Sequence, residues 1–332
     1  MKENMGKRVQ TKYSRGISEK FAEAFRESPL FRLYCEHRDE LFIGVRNGYL
    51  NVYYKCSSIA KVEYASGEAG IKCWINSSYL GDNLAGGGKG KMVRIEPYEI
   101  YSRYEDFKRR VTTRASDEKK AQSELVLLNN TNKDSNWFCV DVEYVKQYEP
   151  MVDDIAYNAR FDIIAISKAR PHRVALIELK YGKVALGGKS GVVKHVGDFK
   201  MFKDKGFFEG HLRREIIDII ESQIALGIGV PFELPSEGDL LVPEFFFITL
   251  NNNAEVENGS TPKQTMSGYL FNDKRWDCKK ISTKDRAETL YGDVTNKDNA
   301  FTATFLFSEQ KNGQITIDNI IDGKYNEKML PS

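Results

Sequence analysis

Behind Ser18, apolar residues fall at helical spacing (Phe21, Ala24 and Phe25) until Pro29 interrupts, which predicts a short helix capped by Ser18. The period then changes. Residues 41–45 and 49–54 are apolar or aromatic runs separated by Asn47-Gly48, a dipeptide whose backbone freedom suits a two-residue hairpin turn. Residues 59–64 and 71–75 continue this pattern between turn residues, so a β-meander is expected, closed by the glycine-rich stretch 84–91. From residue 104 to 128 the pattern is helical and highly charged, and it ends in the polar loop 129–136. Three strands rich in Val, Ile and Phe are expected at 137–145, 161–167 and 173–181. Two amphipathic helices follow, one with the stripe Val192, Val196, Phe199 and Phe202 behind Ser190, the other with Ile216, Ile217, Ile220 and Ile224 before Gly227. A buried strand at 245–250 comes next; beyond it the pattern yields only one further strand, at 300–307. No internal repeat is visible.

Length and composition add limits. A chain of 332 residues, 41% hydrophobic and 29% charged, can bury a core without staples. Its five scattered cysteines (Cys35, Cys56, Cys73, Cys139 and Cys278) form no zinc-ligand pair and read as reduced thiols. No apolar run approaches the roughly 20 residues that cross a bilayer, and residues 1–15 lack the apolar stretch of a secretory signal, so a cytoplasmic protein with no membrane partner is expected. The net charge is only +2, but residues 168–214 hold twelve basic against four acidic side chains, which concentrates positive charge in one segment.

Candidate chemistry lies within that segment and just before it. Asp162 stands at the start of one apolar strand, and sixteen residues later Glu178 and Lys180 lie two apart in the next. Strand period is two, so Glu178 and Lys180 share a face; residues 168–172 are short enough for a hairpin that brings Asp162 beside Glu178. Charges are costly inside a sheet unless paired or coordinated. Two carboxylates and an ammonium form the set that phosphodiester hydrolysis uses: hard oxygen ligands for Mg²⁺ or Mn²⁺, and a cation beside the attacking water. Asp162 and Glu178, helped by the Leu179 carbonyl, are the candidate metal ligands, and Lys180 orients the nucleophile. The bland alternative is a same-face ion pair on a solvated strand.

Phe161-Asp162 and Glu178-Leu179-Lys180, within the order helix, three strands, helix, strand, resemble the PD-(D/E)xK nuclease superfamily over roughly residues 116–252. The resemblance implies an α/β fold, mixed α+β: a restriction-endonuclease-like core with a central mixed β-sheet flanked by helices, here with a β-rich N-terminal module. The corresponding division is 1–115 for the module, 116–256 for the core and 257–332 for a C-terminal extension. The resemblance also implies an endonuclease acting on DNA rather than RNA, and a further acid on the leading helix or first strand. Glu124, Asp141 and Glu143 are candidates, with Glu143 preferred for its place in an apolar strand. Lys183, Lys189, Ser190, Lys194 and His195 are candidate nucleic-acid contacts, although His195 beside an apolar stripe also reads as a packed histidine. Homodimerisation would suit cleavage of both strands. Such nucleases serve restriction, repair, recombination and anti-phage defence in bacteria, and these residues select none of those roles.

Two other readings stand beside this one. The same fold can bind nucleic acid without cutting it, or cut only when a partner activates it. Residues 182–190 also approach a phosphate-binding P-loop but miss its glycine spacing by one residue. Tyr49, Tyr53, Tyr54 and Arg46 could form a base-stacking surface, against a reading in which these aromatics are core.

Overall fold

The computed structural model describes residues 15–65, 70–81, 90–148, 157–182, 192–251, 276–281, 289–296, 302–308 and 316–318. Its architecture is mixed α/β, with two β-sheets and flanking helices. The chain opens with α1 (Glu19–Arg26) and α2 (Pro29–Glu36), whose first-turn N–H groups are capped by the side chains of Ser18 and Ser28. An antiparallel five-stranded meander follows in sequence order: β1 (Leu41–Val45), β2 (Tyr49–Tyr54), β3 (Ser57–Tyr64), β4 (Ile71–Asn76) and β5 (Met92–Ile95). The β1–β2 turn places Gly48 at φ +73°, a conformation that glycine adopts without steric cost. Helices α3 (Pro97–Ser102), α4 (Tyr104–Arg114) and α5 (Asp117–Thr131) come next. The long helical pattern is broken where Ala115 turns extended and Ser116 starts a new cap on Lys119 N–H.

The second sheet holds β6 (Trp137–Tyr148), β7 (Tyr157–Ser167), β8 (Val174–Tyr181), β9 (Glu244–Leu250), β10 (Trp276–Ile281), β11 (Thr289–Asn296) and β12 (Thr302–Ser308). Its order is β10-β11-β12-β9-β8-β7-β6, antiparallel except that β9 runs parallel to both β8 and β12. The parallel β8–β9 pair requires a crossover, and α6 (Val192–Asp204) and α7 (Arg213–Ala225) supply it. The C-terminal segment therefore extends the sheet by three strands. Only one was expected, because β10 and β11 carry polar residues such as Asp277, Lys279, Asp293 and Thr295 where an apolar alternation would have marked them.

Helices cover both faces of the central strands, which explains why β7 and β8 read as nearly continuous apolar runs. One face packs Phe138, Ile164, Ile166, Leu176 and Phe247 against Phe199, Ile216 and Ile220 of α6 and α7, and this cluster continues without a break into the inner face of the meander. The other face packs Ile163, Ile177 and Ile248 against Ala121, Leu125 and Val126 of α5, with Tyr53 and Cys56 from the meander. A buried ion cluster joins the two sheets. Arg46 Nη1 lies 2.7 Å from Asp141 Oδ1, Arg15 Nη1 lies 3.2 Å from Asp141 Oδ2, and Arg46 also donates to the Tyr53 hydroxyl at 3.0 Å. Tyr53 and Tyr54 are buried, so of the proposed stacking surface only Tyr49 keeps access to solvent. Cys35, Cys56, Cys73 and Cys139 are free thiols. Among the described residues, no helix is long and apolar enough to cross a membrane.

Candidate active site

The site forms where β7 and β8 part. Their ladder runs from Ile166↔Val174 to Ile163↔Ile177, which makes Asp162 and Glu178 the next opposed residues. There the backbone pairing gives way to a side chain: Leu179 N–H donates to Asp162 Oδ2 at 2.7 Å. In an extended strand a residue's carbonyl leaves on the same side as its N–H, so the Leu179 carbonyl also faces β7. The Asp162 carbonyl accepts from Gln122 Nε2 of α5 at 2.6 Å. Face alternation slips by one at this point. Tyr157, Ala159 and Phe161 enter the same cluster as Ile164 and Ile166, leaving Asp162 partly open to solvent.

β6 shows a matching irregularity. Its register shifts between Cys139 and Asp141, and Glu143 adopts φ +52°. A left-handed conformation in a residue with a Cβ costs about 1–2 kcal/mol. Glu143 lies between the pairs Val142↔Ile163 and Tyr144↔Phe161, opposite Asp162, and its Oε2 is 3.5 Å from Lys119 Nζ.

On β8, Glu178 is 3% exposed and its Oε1 lies 2.6 Å from Lys180 Nζ and 3.1 Å from His195 Nε2. His195 comes from the first turns of α6 and is held between Glu178 and Asp198, whose Oδ2 is 3.9 Å from Nδ1. Tyr157 donates to the Asp198 carbonyl at 2.8 Å. The result is a continuous polar path, Asp198–His195–Glu178–Lys180, beside Asp162.

The electrostatics follow from crowding acids in a buried place. Burial, and then the Glu178 carboxyl, push the Asp162 carboxyl well above its usual range; Lys180 and Leu179 N–H oppose this, and Glu143 adds to it. Burial raises Glu178 to about 7 against the pull of Lys180, with Glu118 and Asp198 adding to the rise. Burial alone would lower Lys180, but Glu178 and Asp162 together hold it above its ordinary value. Lys180 is therefore a firmly protonated cation, suited to orienting a water or stabilising negative charge rather than to accepting a proton.

Among the described residues, no group of three or more His, Cys, Asp and Glu side chains is placed to hold a metal ion. The donor set here is smaller: two carboxylates and a backbone carbonyl. It fits a hard divalent cation in kind: burial first, and neighbouring acids after it, raise both carboxyls, and an oxygen-seeking ion would compensate their charge.

The structure thus brings Asp162, Glu178, Leu179 and Lys180 together, with Glu143 within electrostatic reach of Asp162. His195 is a direct neighbour of Glu178, with its side chain 14% exposed. Lys194 is exposed on α6 and paired with Asp198. Lys183, Lys189 and Ser190 lie outside the described residues, as does most of the P-loop-like stretch. Of the other acids considered, Asp141 is consumed by Arg15 and Arg46, and Glu124 is exposed on α5 within electrostatic reach of Tyr181. Sequence reasoning missed Glu118 and Gln122, which α5 directs to the site. Their spacing of four, just behind the Ser116 cap, was the available signal.

No protein-family model, curated protein or solved structure matches the chain.

Proposed function

We propose that this chain is a metal-dependent nuclease of the PD-(D/E)xK type, hydrolysing phosphodiester bonds in DNA. One observation carries the reading: Asp162 accepts the N–H of the residue between Glu178 and Lys180, so a half-buried carboxylate from one strand meets the buried Glu-x-Lys of its neighbour at a break in the sheet. The arrangement around it supports the same conclusion. Helix α5 lies on one face, α6 and α7 on the other, and β6, β7 and β8 run antiparallel beside a parallel β9, which is consistent with a restriction-endonuclease-like core.

In this mechanism Asp162, Glu178 and the Leu179 carbonyl would hold Mg²⁺ or Mn²⁺. When bound, that ion supplies a Lewis acid for the scissile phosphate and a water of lowered pKa. Lys180, kept protonated by the two acids, orients the attacking water and stabilises charge that builds on the phosphoryl oxygens. His195 positions Glu178 through its Nε2 contact, and Gln122 fixes the Asp162 backbone.

The test is cleavage of supercoiled plasmid with Mg²⁺ or Mn²⁺. Asp162→Asn and Lys180→Met should each lower the rate at least about a hundredfold while leaving far-ultraviolet circular dichroism unchanged. Variants that cut within a few-fold of the parent would eliminate this assignment. A second reading, activation by a partner, is favoured by the burial of Glu178, which Lys180 and His195 already engage. Cleavage that appears only when a cell extract is added would support it.

A further inference from the structure

The meander has two unlike faces. Its inner face sends Leu50, Val52, Val62, Cys73, Ile75 and Ile95 into the core, where Phe21 of α1 and Phe107 of α4 meet them. Its outer face is aromatic and basic. The register Lys61↔Trp74 and Trp74↔Arg94 sets these three side chains in a row across β3, β4 and β5, with Tyr49↔Glu63 and Glu63↔Lys72 forming the next row. Lys61 Nζ lies 4.6 Å from the centre of the Tyr49 ring and 5.8 Å from that of Trp74, and its side chain is 35% exposed. Arg94 is exposed. Three cations against the single acid Glu63 give this face a positive character suited to a polyanion.

One end of this face runs in under α5, the helix that flanks the candidate active site. At the far end of β2, Tyr53 and Cys56 leave solvent and join the cluster under α5. Lys119 of α5 donates to the Cys56 carbonyl at 3.0 Å and also reaches Glu143. Lys119 thus stands between the buried end of this face and Glu143, which lies opposite Asp162.

We propose that the outer face of the five-stranded sheet binds single-stranded or locally unpaired nucleic acid and leads it toward Asp162 and Glu178. The chemistry is base stacking on Tyr49 and Trp74, with phosphates taken by Lys61, Lys72 and Arg94. In the free protein the Lys61 ammonium is paired with Glu63 at 2.6 Å and lies against the Tyr49 ring, with the Trp74 ring farther off. A phosphate draws it away on its long stem, uncovering the Tyr49 ring for a base. The inference rests on the nuclease reading for its direction toward the acids, but the binding itself does not depend on cleavage.

The experiment is fluorescence anisotropy of a labelled oligothymidylate of about 16 nucleotides, with the full chain carrying Asp162→Asn so that nothing is cut. Trp74→Ala and Tyr49→Ala should each weaken binding roughly fivefold to a hundredfold, and Trp74→Phe should restore most of it. Arg94→Glu, at a surface position where folding is safe, should weaken binding and flatten its dependence on salt. Unchanged affinity in all of these, or no binding at low salt, overturns the proposal. So does a dimer in sedimentation that Trp74→Ala dissolves, since the face would then be covered by a second copy. Plasmid cleavage that depends on Asp162 together with Trp74-independent binding sinks this inference alone. Trp74-dependent binding by a chain that never cuts sinks the nuclease reading alone.

Discussion

At the scale of single residues, the acids of the site oppose folding when they are charged. Glu178 titrates near 7 in the folded protein and near its ordinary value when unfolded, so between these the unfolded chain releases a proton that the folded chain retains. Stability in chelator should fall as pH rises from about 5 to about 7, by about 1–3 kcal/mol attributable to this group. Glu178→Gln should remove that slope, and Mg²⁺ should raise the melting temperature more at pH 8 than at pH 5. Scanning fluorimetry across pH, with and without metal, checks both; a parent slope identical to that of the glutamine variant would contradict the electrostatic picture. The left-handed Glu143 belongs with this behaviour. Backbone strain and like charge collect on the same few residues, as expected where a site is held ready at the expense of stability.

At the scale of elements, β6 is the joint between the sheets. Burial by itself would lower Arg46, yet Asp141 and Tyr53 hold its guanidinium above its ordinary value, so it stays charged with little access to water. Removing one partner strands the others. Arg46→Ala should cost about 3–5 kcal/mol in urea unfolding, far more than removing the solvent-exposed i,i+4 pair of Arg32 with Glu36. A loss below about 1 kcal/mol would show that the cluster is not a structural joint. Elements were also what the sequence displayed best. The β1–β2 hairpin is legible residue for residue from Asn47-Gly48, and the β7–β8 pairing follows from two apolar runs with a short link. That pairing made Asp162, Glu178 and Lys180 findable. Three things were hidden for physical reasons. The fate of Asp141 depends on arginines 95 and 126 residues away; the role of His195 depends on how α6 lies over β8; and β10 and β11 owe their place to pairing rather than to apolar alternation.

At the scale of the whole molecule, the meander and the central sheet share one apolar cluster, so neither buries its inner face alone. Their unfolding should be a single event. Trp74 reports on the meander and Trp137 on the central sheet; with Trp276→Phe in the background, single-tryptophan chains should give denaturation midpoints that coincide. Midpoints that separate would mean two independently stable units.

The central position of β9 carries a consequence for how the protein is made. Its run Phe245-Phe246-Phe247-Ile248 pairs with β8 on one side, but its other edge waits for β12, more than fifty residues later in the chain. As the polypeptide leaves the ribosome, the strands that carry Asp162, Glu178 and Lys180 are complete while that aromatic edge still has open backbone donors and acceptors. Until translation delivers β12, the nascent chain displays a template for intermolecular pairing, and its safe production depends on how quickly the last strands close it or a chaperone shields it.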